Sequence, residues 1–418
     1  MSYSVADRPQ TGTARAAGGV LALAALVVAA VFLAHAYVSS PAVPRPHDFL
    51  QVWSAGRLTL AGGNPYDGAE MYALQAANRM PDTRTAEHPD GYASMMWVPP
   101  WGLAVAMPLG ALPVDAAQLA WVYGQLALIV ACAVWLWRLY GGPRERSWVA
   151  AAVALAFGPV WWQTVGGQYG GVLLLGVTGF LAAHKANRPV LSGASLALAA
   201  LKPHLFTLLA VGLLIDALRS PYGRRVVLGG ILALLAGAAV VTAANPGAWA
   251  DYLAAASGGR SHYHRALADW FNPTVHAWVR HAIPGRPFWV QFVPVAVAAP
   301  LFAAYWWRTG NPARWPDALP WVLPACLLLA PYGSWPSDQV LFLVPVVYLA
   351  AKLADRAVPL SRVAGVLAVL GAASVAVVLM TALQADLQFY VWLAPALLAC
   401  LLWANHVLRR AERAGEPL

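Results

Sequence analysis

Long apolar runs separated by short polar breaks make up most of the chain, and the runs are too long and too continuous for strands. A membrane strand would alternate apolar and polar positions over about ten residues. Runs such as Gly18–Val38 and Ala116–Trp137 are instead apolar on nearly every side of a helix. They approach the roughly 20 residues, at about 1.5 Å each, that a membrane-crossing helix needs. The breaks are rich in glycine, proline and charge: Gly166-Gly167-Gln168-Tyr169-Gly170, Lys202-Pro203, Pro331–Asp338 and Thr381–Gln388. A proline removes a helical hydrogen bond, so Pro203 forbids one continuous helix between Arg188 and Arg219 and leaves two half-depth helices.

Basic clusters fix the expected sidedness. They are Arg138/Arg144/Arg146, Lys185/Arg188, Arg219/Arg224/Arg225, Arg308/Arg314, Lys352/Arg356/Arg362 and Arg409/Arg410/Arg413. Loops on the cytoplasmic side collect Lys and Arg, so an even number of crossings separates each neighbouring pair. The run Trp97–Leu112 is short and carries Pro99, Pro100 and Pro108, which reads as re-entrant or partial. The first run, Gly18–Val38, reads as a helix, although Ala34-His35-Ala36 also mimics a leader cleavage site. The predicted fold is all-α: a single integral-membrane domain over residues 1–418, a polytopic bundle of about twelve spans. Two long loops face outward, residues 39–96 with amphipathic helices and residues 245–287.

Composition narrows the function. Of 418 residues 60% are hydrophobic and 11% charged, where a soluble domain carries about 25% charged residues. A soluble enzyme and a disordered chain are both excluded. The net charge of +9 is accounted for by the basic loops, with no nucleic-acid partner. Cys132, Cys326 and Cys400 lie in apolar runs without a CxxC, which speaks against a thiolate metal site or a disulfide framework. Cytoplasmic loops are too short for a nucleotide domain and no GxxxxGK[ST] is present, which disfavours ATP-driven transport. Carboxylates are almost absent from mid-span positions, which weighs against a proton-coupled carrier.

Candidate chemistry is therefore confined to a few outward-facing residues. Asp48 follows the Pro-rich stretch Pro41–Pro46 and heads the amphipathic stretch Leu50–Leu60. An aspartate there caps a helix or acts as a base at the membrane face, and the two roles are compatible. Lys202 sits in an apolar stretch with Pro203 and His204; it either snorkels to headgroups or holds a phosphate. Gln168 lies in a glycine-rich turn, where it can bind a polar ligand or simply complete the turn. Tyr332 and Asp338 bracket another outward turn, and Asp338 can also cap the next helix. The stretch Ser257–His281 holds Arg260, His262, His264, Arg265, His276 and His281. Its HxH spacing is a weak metal signal, and phosphate or headgroup contact fits it better.

The stretch Asp48–Asp67, DFLQVWSAGRLTLAGGNPYD, resembles the first outer loop of glycosyltransferase family 87, polyprenol-phosphate-mannose-dependent enzymes of the membrane C-type glycosyltransferase fold. The shared pattern is an Asp at the membrane edge, an Ala-Gly pair (Ala55-Gly56), then Gly63-Asn64-Pro65-Tyr66-Asp67. Further pieces come in the same order. Val98-Pro99-Pro100 with Met107-Pro108-Leu109 resembles a Tyr-Pro-Pro and Pro-Leu signature, Val98 replacing Tyr. Gly167-Gln168 resembles a Gly-Gln turn, with Gly170 where an Asn is common. Ser192-Gly193 and Lys202-Pro203 resemble an Ala-Gly…Lys-Pro helix, and Pro331-Tyr332 with Asp338 a Pro-Tyr…Tyr-Asp turn, Ser337 replacing the second Tyr.

The resemblance implies a membrane hexosyltransferase of the bacterial inner membrane with its active site on the periplasmic face. It would move a hexose, mannose first, from a polyprenyl-phosphate-linked sugar donor to a glycolipid or glycan acceptor, with inversion. Asp48 would be the base, and Lys202, with Arg57 or Arg265, would neutralise the leaving phosphate. Gln168, Tyr332 and Asp338 would contribute to substrate binding, whereas Tyr66 and Asp67 would shape the loop. No cofactor or metal is expected. Two other readings stand beside it: a carrier or flippase for a lipid-linked sugar, which would share the outer cavity and Lys202 but need no base, and a non-catalytic partner in envelope assembly.

Overall fold

The computed structural model describes residues 35–36, 40, 42–86, 88–258, 263–265, 268, 270–356 and 358–413. They fall into two compact units divided between Arg45 and Pro46. Apart from His35 and Ala36, the expected first span Gly18–Val38 lies outside the described residues, as do Arg260 and His262. In the second unit every regular element among the described residues is helical.

Two helices lie in the first outer loop, α1 (His47–Ala61) and α2 (Gly68–Ala76), before a short α3 (Leu103–Gly110). Next come α4 (Val114–Leu139), α5 (Ser147–Ala156), α6 (Gly158–Gly166) and α7 (Gly170–Lys185). Then α8 (Pro189–Leu196) and α9 (Thr207–Arg219) flank two 3-10 turns that meet at Lys202, and α10 (Pro221–Ala244) comes after them. The second outer loop carries α11 (Ala248–Ala256) and α12 (Val275–Ala282). The chain closes with α13 (Val293–Thr309), α14 (Trp315–Leu329), α15 (Leu343–Asp355), α16 (Leu360–Ala382) and α17 (Leu393–Arg413).

Five helical segments are long and apolar enough to cross a membrane, centred on α4, α10, α13, α16 and α17. They become six if α5 and α6, bent by 59° across Phe157, count as one. The unbroken spans are thus fewer than the dozen expected. The reason is the breaks themselves: glycine and proline divide the other apolar runs into helices too short to cross alone. Trp97–Leu112 yields only a 3-10 turn and the eight-residue α3.

Glycines set the closest helix crossings. A Cβ on Gly56 of α1 would lie 2.2 Å from the Ala106 carbonyl oxygen of α3, and one on Gly110 2.2 Å from the Gly56 carbonyl carbon. The same device joins α8 to α10, where a Cβ on Gly193 would stand 1.7 Å from the Val226 oxygen. Small residues that let backbones touch are how membrane helices gain packing without a hydrophobic driving force. The Ala-Gly and Ser-Gly pieces of the sequence pattern are therefore packing residues. Helix α1, expected to be amphipathic, is buried on most of its surface, including Phe49, Leu50, Trp53 and Ala55.

At one end of the bundle the basic clusters gather. Lys185 donates to the Leu139 carbonyl, Arg219 to the Gly310 carbonyl at 3.1 Å, and Arg356 pairs with Glu412 at 3.7 Å. Just inside this end, buried Asp216 accepts the indole N–H groups of Trp306 at 3.0 Å and Trp315 at 2.7 Å, tying α9 to α13 and α14.

A leucine at Gly193 forces α8 and α10 apart. Overpacking typically costs about 1–3 kcal/mol, so Gly193→Leu is expected to lower the melting temperature and the folded yield in detergent. Gly124→Ala, where nothing lies within 4 Å of the new Cβ, is expected to leave both unchanged or slightly raised.

Candidate functional site

The candidate site residues gather at the opposite end of the bundle. Helix α1 begins at His47 after Pro46, which supplies no side-chain cap. Asp48 is the acidic residue of the first turn, where the helix dipole favours negative charge. Capping is not its role; its carboxylate instead takes a hydrogen bond from the Gln168 side chain. The glycine turn between α6 and α7 makes this possible. Gly167 adopts φ 73°, and a Cβ there would sit 2.7 Å from Cβ of Phe49. A Cβ on Gly166 would lie 3.7 Å from the Asp48 carboxylate. The turn is locked by the Trp121 indole, which donates to the Gly167 carbonyl at 2.7 Å, and by Gln163, whose Oε1 accepts from Gly170 N–H at 3.1 Å. Gln168 keeps a buried Oε1 without a hydrogen-bond partner.

Lys202 occupies the break between α8 and α9 and turns inward. Its Nζ meets Oδ1 of Asp338 at 2.7 Å, with side-chain exposures of 13% and 1%. The snorkelling alternative is thereby overturned. Asp338 does not cap its helix either: its second oxygen accepts from Trp335 N–H at 3.0 Å and closes the Pro331–Asp338 turn. The second outer loop and the 3-10 turn Phe288–Phe292 that follows it brace that turn. His276 Nε2 contacts the Ala330 carbonyl at 2.9 Å, and Gln291 donates to the Pro331 carbonyl at 2.8 Å. Buried Arg280 in turn donates to Gln291 at 2.7 Å.

Electrostatics couples these groups into one site. Burial raises the Asp48 carboxyl from 3.8 to about 6; Lys202 and the Gln168 hydrogen bond pull it down, and Asp338 pushes it up again. A carboxyl near 6 is still mostly ionised at neutral pH and basic enough to accept a proton. Beside it, burial holds His47 well below its usual range, at about 4. The His47 ring stacks near Tyr92, centroids 6.4 Å apart.

Three residues were missed in the sequence. Tyr169 lies in the field of Asp48 and donates to Met96 Sδ at 3.0 Å. His204 feels both Lys202 and Asp338, and its ring stands edge-on to Tyr332 at 5.7 Å. Trp335 packs edge-on to Trp270 at 5.5 Å. Of these, His204 carried a signal, lying two residues past Lys202 on the far side of the Pro203 break.

Of the expected site residues, Asp48, Gln168, Lys202 and Asp338 come together, with Tyr332 against His204 at the edge. Arg265 stands one aromatic layer away. Its guanidinium lies 4.2 Å from the Trp270 ring and donates to Tyr92 Oη at 3.1 Å. Arg57 does not join them. Nine residues beyond Asp48 on α1, it lies half a revolution round and about 13 Å along the axis. It is exposed and donates to the Gly110 carbonyl at 3.4 Å. Its assignment to the leaving phosphate is corrected on that ground.

Tyr66 and Asp67 shape the first loop. Asp67 Oδ1 accepts from Ala69 and Glu70 N–H at 2.8 Å, capping α2, and Tyr66 Oη donates to the Val98 carbonyl at 2.9 Å. Among the described residues no cluster of His, Cys, Asp and Glu is built to hold a metal ion; His264 is turned to the Tyr66 carbonyl at 3.2 Å. On the other side of Gly166 lies a cavity of about 200 Å³, bordered by Trp162, Thr381, Gln384 and Tyr390.

Removing one partner of a buried pair leaves an uncompensated charge, at a cost of about 3–5 kcal/mol. Asp338→Ala is expected to destabilise the protein by about that amount. The double variant Lys202→Met, Asp338→Leu should recover most of the loss, as read by thermal melting in detergent.

No curated protein and no solved structure matches the chain. The family model described as glycosyltransferase family 87 matches residues 98–331, which include Gln168, Lys202, His204 and Arg265. That match spans more than half of the chain, across the helices that carry the lysine and the glycine turn, and with it the chain belongs to glycosyltransferase family 87, a family of membrane glycosyltransferases.

Proposed function

We propose that this membrane glycosyltransferase moves a hexose, mannose first, from a polyprenyl-phosphate-linked donor to a hydroxyl of a glycolipid or glycan. The observation that carries the reading is a desolvated carboxylate, Asp48, in the field of an inward-turned lysine, Lys202. In the proposed step Asp48 takes the proton of the acceptor hydroxyl. The oxygen attacks the anomeric carbon as the bond from that carbon to the phosphate oxygen breaks, with inversion. The electron pair leaves with the polyprenyl phosphate. An ammonium has three N–H donors, so Lys202 can hold Asp338 with one and meet the developing phosphate charge with another. Gln168 orients the carboxylate, and Arg265 stands further out among Tyr92 and Trp270 on the acceptor's path.

On this reading the active site lies on the periplasmic face of a bacterial inner membrane. The broken helices then count with the five long ones in a C-type bundle of about twelve crossings. Short loops between the described helices at the basic end fit a donor already delivered on its lipid.

Sugar transfer from radiolabelled polyprenyl-phosphate-mannose to a panel of membrane glycolipids, with purified protein in lipid nanodiscs, tests the reading. Loss of a general base costs about 10²–10⁴-fold, and Asp48→Asn is expected to fall in that range. Full activity in Asp48→Asn would remove the base role; flipping without transfer would favour the carrier.

The acid side of the pH profile gives a second check. Asp48 must be ionised to act, so kcat/KM should fall as pH drops below about 6. Lys202→Met removes a cation that favours the carboxylate and should move that limb to higher pH; Asp338→Asn should move it lower. Because the folded carboxyl holds its proton to higher pH than the unfolded one, Asp48 costs stability as pH rises from about 4 to about 6. Asp48→Asn should therefore melt above wild type at pH 7.5, with the gap narrowing as the pH is lowered through 6.

A further inference from the structure

Among the polar atoms that the proposed transfer step leaves unused, one belongs to a ring beside Lys202. His204 sits two residues beyond Lys202, on the far side of Pro203. Its Nε2 is out of reach of solvent and has no hydrogen-bond partner. The ring also hydrogen-bonds the backbone of Gly333 in the sense that favours a ring N–H, so the Gly333 carbonyl is the acceptor. With Nε2 unpartnered, that N–H is the one on Nδ1. A neutral imidazole has one donor and one acceptor nitrogen, so Nε2 presents a lone pair.

The ring is held in place. Tyr332 stands edge-on to it at 5.7 Å and is itself wedged against Phe292 at 5.2 Å. Gly333, at φ 95°, lets the Pro331–Asp338 turn bring its carbonyl to the ring, with the side chain of Asn272 filling the space a Cβ would need. Buried acceptors are normally paired, so this one calls for a donor from outside the protein.

The lone pair selects the chemistry of that donor. It repels a phosphate oxygen and accepts from a hydroxyl. The His204 ring lies in the field of both Lys202 and Asp338. A group whose phosphate meets Lys202 therefore carries its ring hydroxyls into the neighbourhood of His204. We infer that His204 is a specificity-determining residue whose Nε2 accepts a hydrogen bond from one ring hydroxyl of the transferred hexose. The half-buried Tyr332 ring is the group that turns to admit it. This rests on the donor proposed above.

Equilibrium binding, which needs no turnover, tests it. Polyprenyl-phosphate-mannose and its 2-, 3-, 4- and 6-deoxy forms are titrated into nanodisc-embedded protein, with tryptophan fluorescence as the signal. For wild type one deoxy form is expected to bind about ten- to a hundredfold more weakly than the parent. His204→Phe should bind the parent as weakly as wild type binds that one deoxy form. It should lose no more when the same hydroxyl is removed, while the other deoxy penalties stay as in wild type. His204→Gln, whose amide oxygen can also accept, should restore part of the difference. Deoxy penalties identical in wild type and a folded His204→Phe would overturn the inference and leave the transferase reading standing. No binding of the parent donor by wild type would overturn both. Binding that survives in Asp48→Asn with its deoxy pattern intact would support His204 even if Asp48 proved not to be the base.

Discussion

A single buried ion pair organises this site. Lys202 and Asp338 are 136 residues apart in the chain and 2.7 Å apart in space. Neither can be buried alone without a penalty of several kcal/mol, so the pair obliges the α8–α9 break and the Pro331–Asp338 turn to meet. Asp48 sits in the field of both charges, one favouring its ionised form and one opposing it. Its proton affinity is thus a property of three segments of the chain. A carboxyl desolvated by the protein and only partly compensated by a cation is the arrangement by which a side chain becomes a base near neutral pH.

The outer loops do structural work for this pair. His276 of the second loop and Gln291 just beyond it reach the Ala330 and Pro331 carbonyls, and Arg280 donates to Gln291, so together they hold the turn that carries Asp338. The first loop is tied on by Asn245, which donates to the Gly63 carbonyl at 2.8 Å, and by Ala93 N–H to the Tyr263 carbonyl at 3.0 Å. Of the histidines named as headgroup or phosphate ligands, His276 is spent on the Ala330 brace and His264 on the Tyr66 carbonyl. Polar groups that must be buried find partners first among neighbouring backbone groups.

Much of this was legible in the chain. The breaks at Gly166–Gly170, Lys202-Pro203 and Pro331–Asp338 are visible because glycine and proline act locally. Asp48 and Lys202 stood out because a charge beside an apolar run needs a reason. The ion pair was not legible, since nothing local relates residue 202 to residue 338. Nor was the fate of Gln168, which reads as a turn residue until the first helix is laid against it. Arg57 shows a different lapse: nine residues at 100° each already put it on the face of α1 away from Asp48. Which of the expected spans are single long helices was not legible either, because apolar length alone does not reveal where a run will bend.

The contact of Gly167 with Phe49 has a wider consequence. With no side chain on the glycine between them, main chain meets main chain, and the seat of Asp48 is fixed by the two backbones. The surfaces above it, including Tyr92, Arg265 and Trp270, belong to loops whose length and composition change at small thermodynamic cost. Such a division separates what must stay constant from what is free to vary. If Asp48 is the base proposed above, it can be inherited unchanged while the rim around it is rewritten for a new acceptor, so chemistry and recognition can evolve at different speeds in the same protein.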